Sequence, residues 1–113
     1  IGIEVMIISG REAACVDHRA QELGIEYVVQ GSRDKLKSFY DQNISISLEK
    51  VCFVGDDTVD VGILNSVGLS VVVPNSNPTI DIKQFDWVTK RHGGYGAIRD
   101  VCDLIYFSKT LNE

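Results

Sequence analysis

Three aspartates fall within the seven residues V-G-D-D-T-V-D, directly after a short apolar run. Asp56 and Asp57 stand where that run ends, and Asp60 follows in what would be the first turn of a helix. Carboxylates that converge on one point repel unless a cation lies between them, and hard oxygen ligands favour Mg²⁺. Aspartates also cap helices and complement the helix dipole. The stretch therefore leaves two interpretations open, a Mg²⁺ site and a set of helix caps.

Two further stretches carry groups that could bind a phosphate. In I-I-S-G-R, the Ser9 hydroxyl, the turn at Gly10 and the charge of Arg11 stand between an apolar run and a helix, where backbone N–H groups favour an anion. Lys35 lies near the start of the next helix, where a cation is unfavourable against the dipole, and this indicates a ligand-binding role. The alternatives are an N-cap serine with a solvated arginine, and an ordinary surface lysine.

The most basic stretch of the chain is K-R-H-G-G-Y-G. Lys90, Arg91 and His92 stand beside Gly93 and Gly94 and before a predicted helix, an arrangement that suits a carboxylate or a phosphate. A surface histidine is the alternative for His92.

Alternating strands and helices must position these groups. Gly24 ends the first helix as a C′ residue, and Ser32 is the predicted N-cap of the second. We predict an α/β fold, a Rossmann-like open and mostly parallel sheet with helices on both faces, in which the polar loops share the rim at the strands' carboxyl ends. The predicted strands are 3–9, 27–30, 51–54, 70–73 and 85–88; the predicted helices are 11–23, one after Ser32, 59–67, one opening at Asn77 and Pro78, and one after the glycine stretch.

Two expectations concern the core. The last helix should bury one face formed by Ile98, Val101, Cys102, Ile105 and Tyr106. The aromatic residues are expected in the core rather than at a cofactor, and His18 at the surface; these aromatic residues are Phe39, Trp87, Tyr106 and Phe107.

Composition narrows the class of protein. The 113 residues carry a formal net charge of −5, which argues against nucleic acid and anionic membranes as partners. Cys15, Cys52 and Cys102 have neither metal-site nor disulfide spacing, so we expect reduced, buried thiols and a cytoplasmic protein. The chain is one small domain or part of one, and because Ile1 leads at once into an apolar strand we expect a missing N-terminal segment.

The ordered motifs resemble a known family. S-G-R after a strand, D-K at a helix start and G-D-D-x-x-D after a strand are similar to the later motifs of the haloacid dehalogenase superfamily. Q-G-S-R-D-K-L, V-G-L-S-V-V-V and G-G-Y-G-A-I-R-D-V-C-D-L-I resemble its capless phosphatases for 3-deoxy-manno-octulosonate 8-phosphate and nonulosonate 9-phosphate. The same module occurs behind some acylneuraminate cytidylyltransferases. The resemblance covers essentially the whole chain and implies residues 1–113 as the C-terminal portion of one phosphatase-like domain.

The resemblance implies a role for each motif residue. Ser9 corresponds to the hydroxyl residue that holds the transferred phosphoryl group, and Lys35 to the lysine that neutralises it. Asp56 corresponds to a direct Mg²⁺ ligand. Asp57 and Asp60 correspond to carboxylates that bind the metal or orient its waters.

The resemblance also implies partners. Its substrate is a phosphorylated sugar acid, and the glycine-rich C-terminal region helps to complete a neighbouring subunit's site in a homotetramer. Substrate contacts are thereby implied for Arg91, His92, Gly93 and Gly94, together with the S-G-R turn. Tyr95 stands where the family often has an arginine.

The first motif of the family, D-x-D, does not occur in this chain. In the family it supplies the nucleophile and the general acid, and it should lie on a strand before Ile3. Phosphoryl transfer through an aspartyl-phosphate needs that carboxylate in line with phosphorus, so we expect these 113 residues alone to be inactive.

Two other functions compete with a phosphatase. A non-catalytic oligomerisation domain of a cytidylyltransferase would not need Ser9, Lys35, Asp56 and Asp60 together, and their joint presence favours the enzyme. A phosphoacceptor response regulator would carry its acids near the first strand and fits less well.

Overall fold

The structure is a computed structural model that describes residues 3–10, 12–76, 78, 84–91 and 96–111. The chain forms two compact units, Gly2–Ser45 and Ile46–Glu113, each of which is described by itself. The strand pairings among the described residues are parallel in both units, which confirms the predicted α/β class. Among the described residues, no helix is both long and apolar enough to cross a membrane. The helix predicted at Asn77 and Pro78 lies outside the described residues.

The first unit pairs two strands and packs a helix against them. Gly24, at a φ of 72°, ends α1 as predicted, because its N–H reaches the carbonyls of Ala20 and Gln21. Strands β1 and β2 pair from Met6 opposite Tyr27 onward, and α2 packs on β1. The elements are β1 (Met6–Ile8), α1 (Ala14–Leu23), β2 (Tyr27–Val29) and α2 (Lys35–Asp41).

The N-cap of α2 differs from the prediction. Asp34, not Ser32, precedes the helix, and its carboxylate accepts from the N–H of Lys37 at 3.1 Å. Ser32 instead lies two residues earlier, with its hydroxyl 2.6 Å from that of Ser38. Aspartate and serine are nearly equal as caps, so sequence preference could not separate the two positions.

The second unit has a three-stranded sheet in the order β3–β4–β5. The predicted helix 59–67 is shorter: it is a 3₁₀ turn followed by one α-helical turn, α3, which packs on β3 and β4. The most deeply buried apolar side chains are Ile63, Leu64, Val71 and Val72. The elements are a 3₁₀ turn (Leu48–Lys50), β3 (Cys52–Gly55), a 3₁₀ turn (Thr58–Asp60), α3 (Val61–Leu64), β4 (Leu69–Val72), β5 (Trp87–Val88) and α4 (Ala97–Leu111).

Helix α4 buries only part of the face that was predicted. Ala97 and Val101, one turn apart, are buried, whereas Ile98 and Tyr106 are 61% and 52% exposed and Cys102 is also exposed. The predicted face was therefore wrong for three of its members. Because this helix is apolar on more than one side, periodicity alone could not select the side that faces the core.

Predictions for the cysteines and aromatic residues are confirmed only in part. All three thiols are free, but Cys15 and Cys102 are exposed and only Cys52 is partly buried. Burial, with a further contribution from Cys102, raises the pKa of the Cys52 thiol above its ordinary value of 9.0. Phe39 is buried as expected, whereas Phe107 is 59% exposed and Tyr106 was also misplaced.

Trp87 is half-buried, as an aromatic residue in a short edge strand can be. His18 lies at the surface as predicted, with 78% of its side chain exposed.

Candidate active site

The first unit joins the loop that carries Ser9 to the loop that leads to Lys35. The Ser9 N–H donates to the Val29 carbonyl at 2.8 Å, and the Ser32 N–H donates to the Ser9 carbonyl at 2.9 Å. A Cβ on Gly10 would lie 3.4 Å from the Ser32 carbonyl oxygen, so the two loops are in van der Waals contact. The carboxyl ends of β1 and β2 thus present a serine and a glycine turn side by side, as the sequence predicts for a phosphate-binding rim.

Lys35 is the first residue of α2 and is half-buried. The chain reaches it through Gly31, whose φ of 68° favours glycine, and the Glu12 carboxylate packs on that glycine. Because the Ser32 N–H is hydrogen-bonded to the Ser9 carbonyl, only residues 33 and 34 separate Lys35 from a residue that contacts the loop of Ser9. Arg11 lies outside the described residues.

The second unit organises the three aspartates around one buried carboxylate. Asp60 is 1% exposed, and its Oδ2 accepts from the N–H of Asp56 at 3.0 Å and from that of Asp57 at 3.1 Å. A Cβ on Gly55 would lie 2.7 Å from the Asp60 Cβ and 2.8 Å from its Oδ2. Glycine at the end of β3 therefore lets the carboxylate fold back under the loop.

The structure shows helix capping by two of these aspartates and leaves the predicted metal site open at the third. Asp57 and Asp60 form a capping box on the 3₁₀ turn, and Asp57 Oδ1 accepts from the Thr58 N–H at 2.7 Å. Asp56 is exposed at the carboxyl end of β3, and its carboxylate takes no part in that box. Capping accounts for two of the aspartates and leaves Asp56 as the one with no structural reason to be acidic.

The donor set of the acidic loop suits a Mg²⁺ ion held in part by other groups. Across the described ranges, no cluster of three or more His, Cys, Asp or Glu side chains could hold a metal ion. Mg²⁺ is commonly bound through one or two carboxylates, with waters and substrate phosphates completing its shell. Asp56 fits that pattern as a single protein ligand, and ligation of Mg²⁺ by Asp56, Asp57 or Asp60 stays a prediction.

Arg91 follows β5 and is tied to helix α4. Its backbone N–H donates to Asp100 Oδ2 at 2.9 Å, and its Nε lies 3.4 Å from Asp100 Oδ1. The sequence reasoning did not select Asp100; an acidic residue in the first turn of the helix after a basic stretch was the available signal. The remaining residues of the predicted substrate contacts lie outside the described residues: His92, Gly93 and Gly94.

Comparison with known proteins identifies the family. The profile of the haloacid dehalogenase-like hydrolases matches residues 34–99, which include Lys35 and the acidic loop. The chain belongs to the haloacid dehalogenase-like hydrolases. The family expected from the motifs is thus confirmed.

Individual members of this hydrolase family are similar over nearly the whole chain. The 3-deoxy-D-manno-octulosonate 8-phosphate phosphatase KdsC of Escherichia coli K12 is 43% identical over 109 residues, which are 95% of this chain and 57% of the relative. The crystal structure of the Yersinia pestis phosphatase of the same name has a TM-score of 0.90 at 38% identity, covering 96% of this chain and 59% of that one.

A third relative was solved with ligands. The Moraxella catarrhalis 3-deoxy-D-manno-octulosonate 8-phosphate phosphatase, in complex with magnesium ion, phosphate ion and a KDO molecule, has a TM-score of 0.85 at 39% identity, covering 92% of this chain and 60% of that one. The present chain spans about three-fifths of the length of each relative it matches.

Proposed function

We propose that this hydrolase-family chain is part of a Mg²⁺-dependent phosphatase for the phosphate monoester of a 3-deoxy-2-keto sugar acid. The observation that carries the proposal is the 39% identity, across 92% of the chain, to a phosphatase solved with magnesium, phosphate and KDO. Octulosonate 8-phosphate is the first substrate to test, and nonulosonate 9-phosphate is the second.

Each loop contributes one task to the proposed reaction. Ser9 donates a hydrogen bond to a phosphoryl oxygen, and Lys35 offsets the negative charge that the phosphoryl group carries during transfer. Asp56 holds Mg²⁺, which when bound supplies electrostatic stabilisation of the phosphoryl oxygens. Asp60 holds the loop that presents Asp56 through the two backbone hydrogen bonds at Oδ2.

The attacking carboxylate lies outside these 113 residues in this proposal. The chain contains no D-x-D, and its relatives are longer than the matched region. The phosphoryl group is first transferred from the ester to that aspartate, and the free sugar acid leaves. Water then attacks the aspartyl-phosphate, which frees the aspartate and releases inorganic phosphate. The residues of this chain therefore bind and stabilise but do not attack. A non-catalytic scaffold would instead show a lost or substituted D-x-D in the complete protein.

Phosphate release by two proteins tests the proposal. We expect the complete protein to release phosphate from 3-deoxy-D-manno-octulosonate 8-phosphate with Mg²⁺, to lose activity with a chelator and to regain it on adding Mg²⁺. The 113-residue chain should release none. Turnover by the short chain would refute an external nucleophile, and a complete protein inactive on both sugar-acid phosphates would refute the phosphatase.

The Asp56→Asn substitution isolates the metal ligand. Because Asp56 is exposed and outside the capping box, the substitution should change the free energy of unfolding by less than about 0.5 kcal/mol. It should nevertheless remove the Mg²⁺-dependent activity of the complete protein. Full activity at ordinary Mg²⁺ concentration would exclude Asp56 as a ligand.

A cytoplasmic homotetramer belongs to the same proposal. Apolar side chains on α4 are 40–61% exposed, and exposed apolar surface is common where subunits meet; these residues are Ile98, Leu104, Tyr106 and Phe107. Size-exclusion chromatography with light scattering measures the mass of the assembly that the complete protein forms. A monomer at micromolar concentration would contradict the tetramer.

A further inference from the structure

Arg91 is held at both its main chain and its side chain. Its carbonyl accepts from the hydroxyl of the buried Thr89 at 2.8 Å, and its N–H donates to Asp100 Oδ2 at 2.9 Å. The other oxygen of the same carboxylate lies 3.4 Å from the Arg91 Nε. The Asp100 side chain is only 14% exposed, whereas the Arg91 side chain is 54% exposed. One nearly buried acid therefore orients a cation that remains open to solvent.

Gly96 fixes the direction of the same side chain. A Cβ on Gly96 would lie 2.8 Å from the Arg91 Cδ and 3.0 Å from its Nη1, so the arginine rests against the bare backbone of the glycine. Gly96 also has a φ of 107°, which favours glycine. The guanidinium is thus bounded by Asp100 at Nε and by Gly96 along its length.

Stability is a poor reason for such an arrangement. Pairs with an exposed partner contribute little to folding, and ordering a long side chain has an entropic cost. A guanidinium ordered in advance, by contrast, loses less freedom when it binds a carboxylate, the group it recognises best through paired N–H donors. A substrate of the proposed kind carries one carboxylate besides its phosphate.

We propose that Asp100 is a positioning residue that holds Arg91 ready for the carboxylate of the sugar acid. The inference rests on the proposed function, and Asp100 itself does not contact the substrate. It predicts a definite sign: if Asp100 only neutralised the arginine, its removal would strengthen binding of an anion. If Asp100 positions the arginine, its removal weakens binding.

Steady-state kinetics of the complete protein measure that sign. Asp100→Asn should raise KM for 3-deoxy-D-manno-octulosonate 8-phosphate by about three- to tenfold, the cost of ordering one long side chain on binding, with kcat nearly unchanged. Asp100→Glu should restore part of the loss. Asp103→Asn is the matched control, because Asp103 lies one turn further along α4 and pairs with the exposed Arg99 at 3.1 Å.

A double-mutant cycle shows whether the effect passes through the arginine. Arg91→Ala should raise KM by about tenfold or more, as expected for a lost charge-assisted hydrogen bond. Asp100→Asn added to Arg91→Ala should then change KM no further. With p-nitrophenyl phosphate, which has no carboxylate, Asp100→Asn should leave KM unchanged.

The results that would contradict the proposal separate the role of Asp100 from the proposed phosphatase activity. An unchanged or lower KM for Asp100→Asn, a rise equal to that of Asp103→Asn, or an equal rise with p-nitrophenyl phosphate overturns the role of Asp100 and leaves the proposed activity standing. A wild type that binds 3-deoxy-D-manno-octulosonate in calorimetry but releases no phosphate overturns the activity, and the same variants then decide the role of Asp100 by titration. A wild type that neither binds nor hydrolyses overturns both.

Discussion

Replacing the buried Asp60 carboxylate should lower the free energy of unfolding by a measurable amount, because the acidic loop loses the group that holds it. Asp60→Ala removes the acceptor of two backbone N–H groups, those of Asp56 and Asp57, which donate at 3.0 and 3.1 Å. A buried donor left without its partner costs about 1–3 kcal/mol. Both donors belong to residues that are otherwise exposed, so water partly replaces the lost acceptor. We therefore expect the two N–H groups together to cost about 3 kcal/mol, well below the upper limit for two fully buried donors.

Asp60→Asn separates the hydrogen bonds from the charge. Both N–H groups donate to the same oxygen, Oδ2, so an amide oxygen in that place keeps both bonds and weakens them by removing their charge assistance. We expect a loss of about 1 kcal/mol for this variant. Asp103→Ala, which removes one exposed ion pair from α4, should change the free energy of unfolding by less than about 0.5 kcal/mol.

Urea titration followed by far-UV circular dichroism gives the three free energies of unfolding. The expected order is a large loss for Asp60→Ala, a small loss for Asp60→Asn and none for Asp103→Ala. An Asp60→Ala protein as stable as the Asp103→Ala control would refute the loop-holding role. Equal losses for the alanine and asparagine variants would show that charge, not the shared acceptor oxygen, stabilises the loop.

Three further predictions concern other sites. Gly55→Ala should cost about 1–3 kcal/mol in urea titration, because its methyl group would overlap the buried carboxylate, whereas Gly62→Ala, with open space around it, should be neutral or slightly stabilising. Lys35→Gln should lower kcat of the complete protein by at least about 100-fold, and Lys37→Gln, exposed in the same helix, should not. Cys52 should react with a thiol reagent more slowly than the two exposed thiols. Because folding raises the pKa of the Cys52 thiol above 9.0, the unfolded chain loses the thiol proton at a lower pH than the folded protein does. The free energy of unfolding should therefore decline as pH rises past about 9. Equal thiol rates, or comparable effects from either control, would contradict the respective prediction.

The sequence predicted the strands and turns better than the way the last helix packs. Apolar runs located all five described strands to within a few residues, and Gly24 ended its helix as expected. The burial of Ala97 rather than Ile98 beside the correctly predicted Val101 depends on tertiary contacts, because several sides of α4 are apolar enough to face a core. Local spacing carries no information on which of them another element covers.

The residue types of the candidate site could be predicted from the sequence, but the different structural role of each aspartate could not. Asp56, Asp57 and Asp60 looked alike in sequence, since all three are carboxylates near a strand end. Only the structure shows that the third is buried beneath Gly55 and shared by two backbone N–H groups. The link from Arg91 to Asp100 was not predictable either, because it joins the residues after β5 to α4, nine positions further along the sequence.

The burial of the Asp60 carboxylate also determines which aspartate can indicate activity when related chains are compared. Asp60 is needed to build its loop, so a related chain without the proposed phosphatase activity would still be selected to keep it for folding. Asp56 has no such role in folding and would be free to vary in a related chain that does not bind the proposed metal ion. Among related chains, variation at position 56 with an unchanged position 60 would therefore mark those that lack the proposed activity, whereas an aspartate at position 60 alone says nothing about activity.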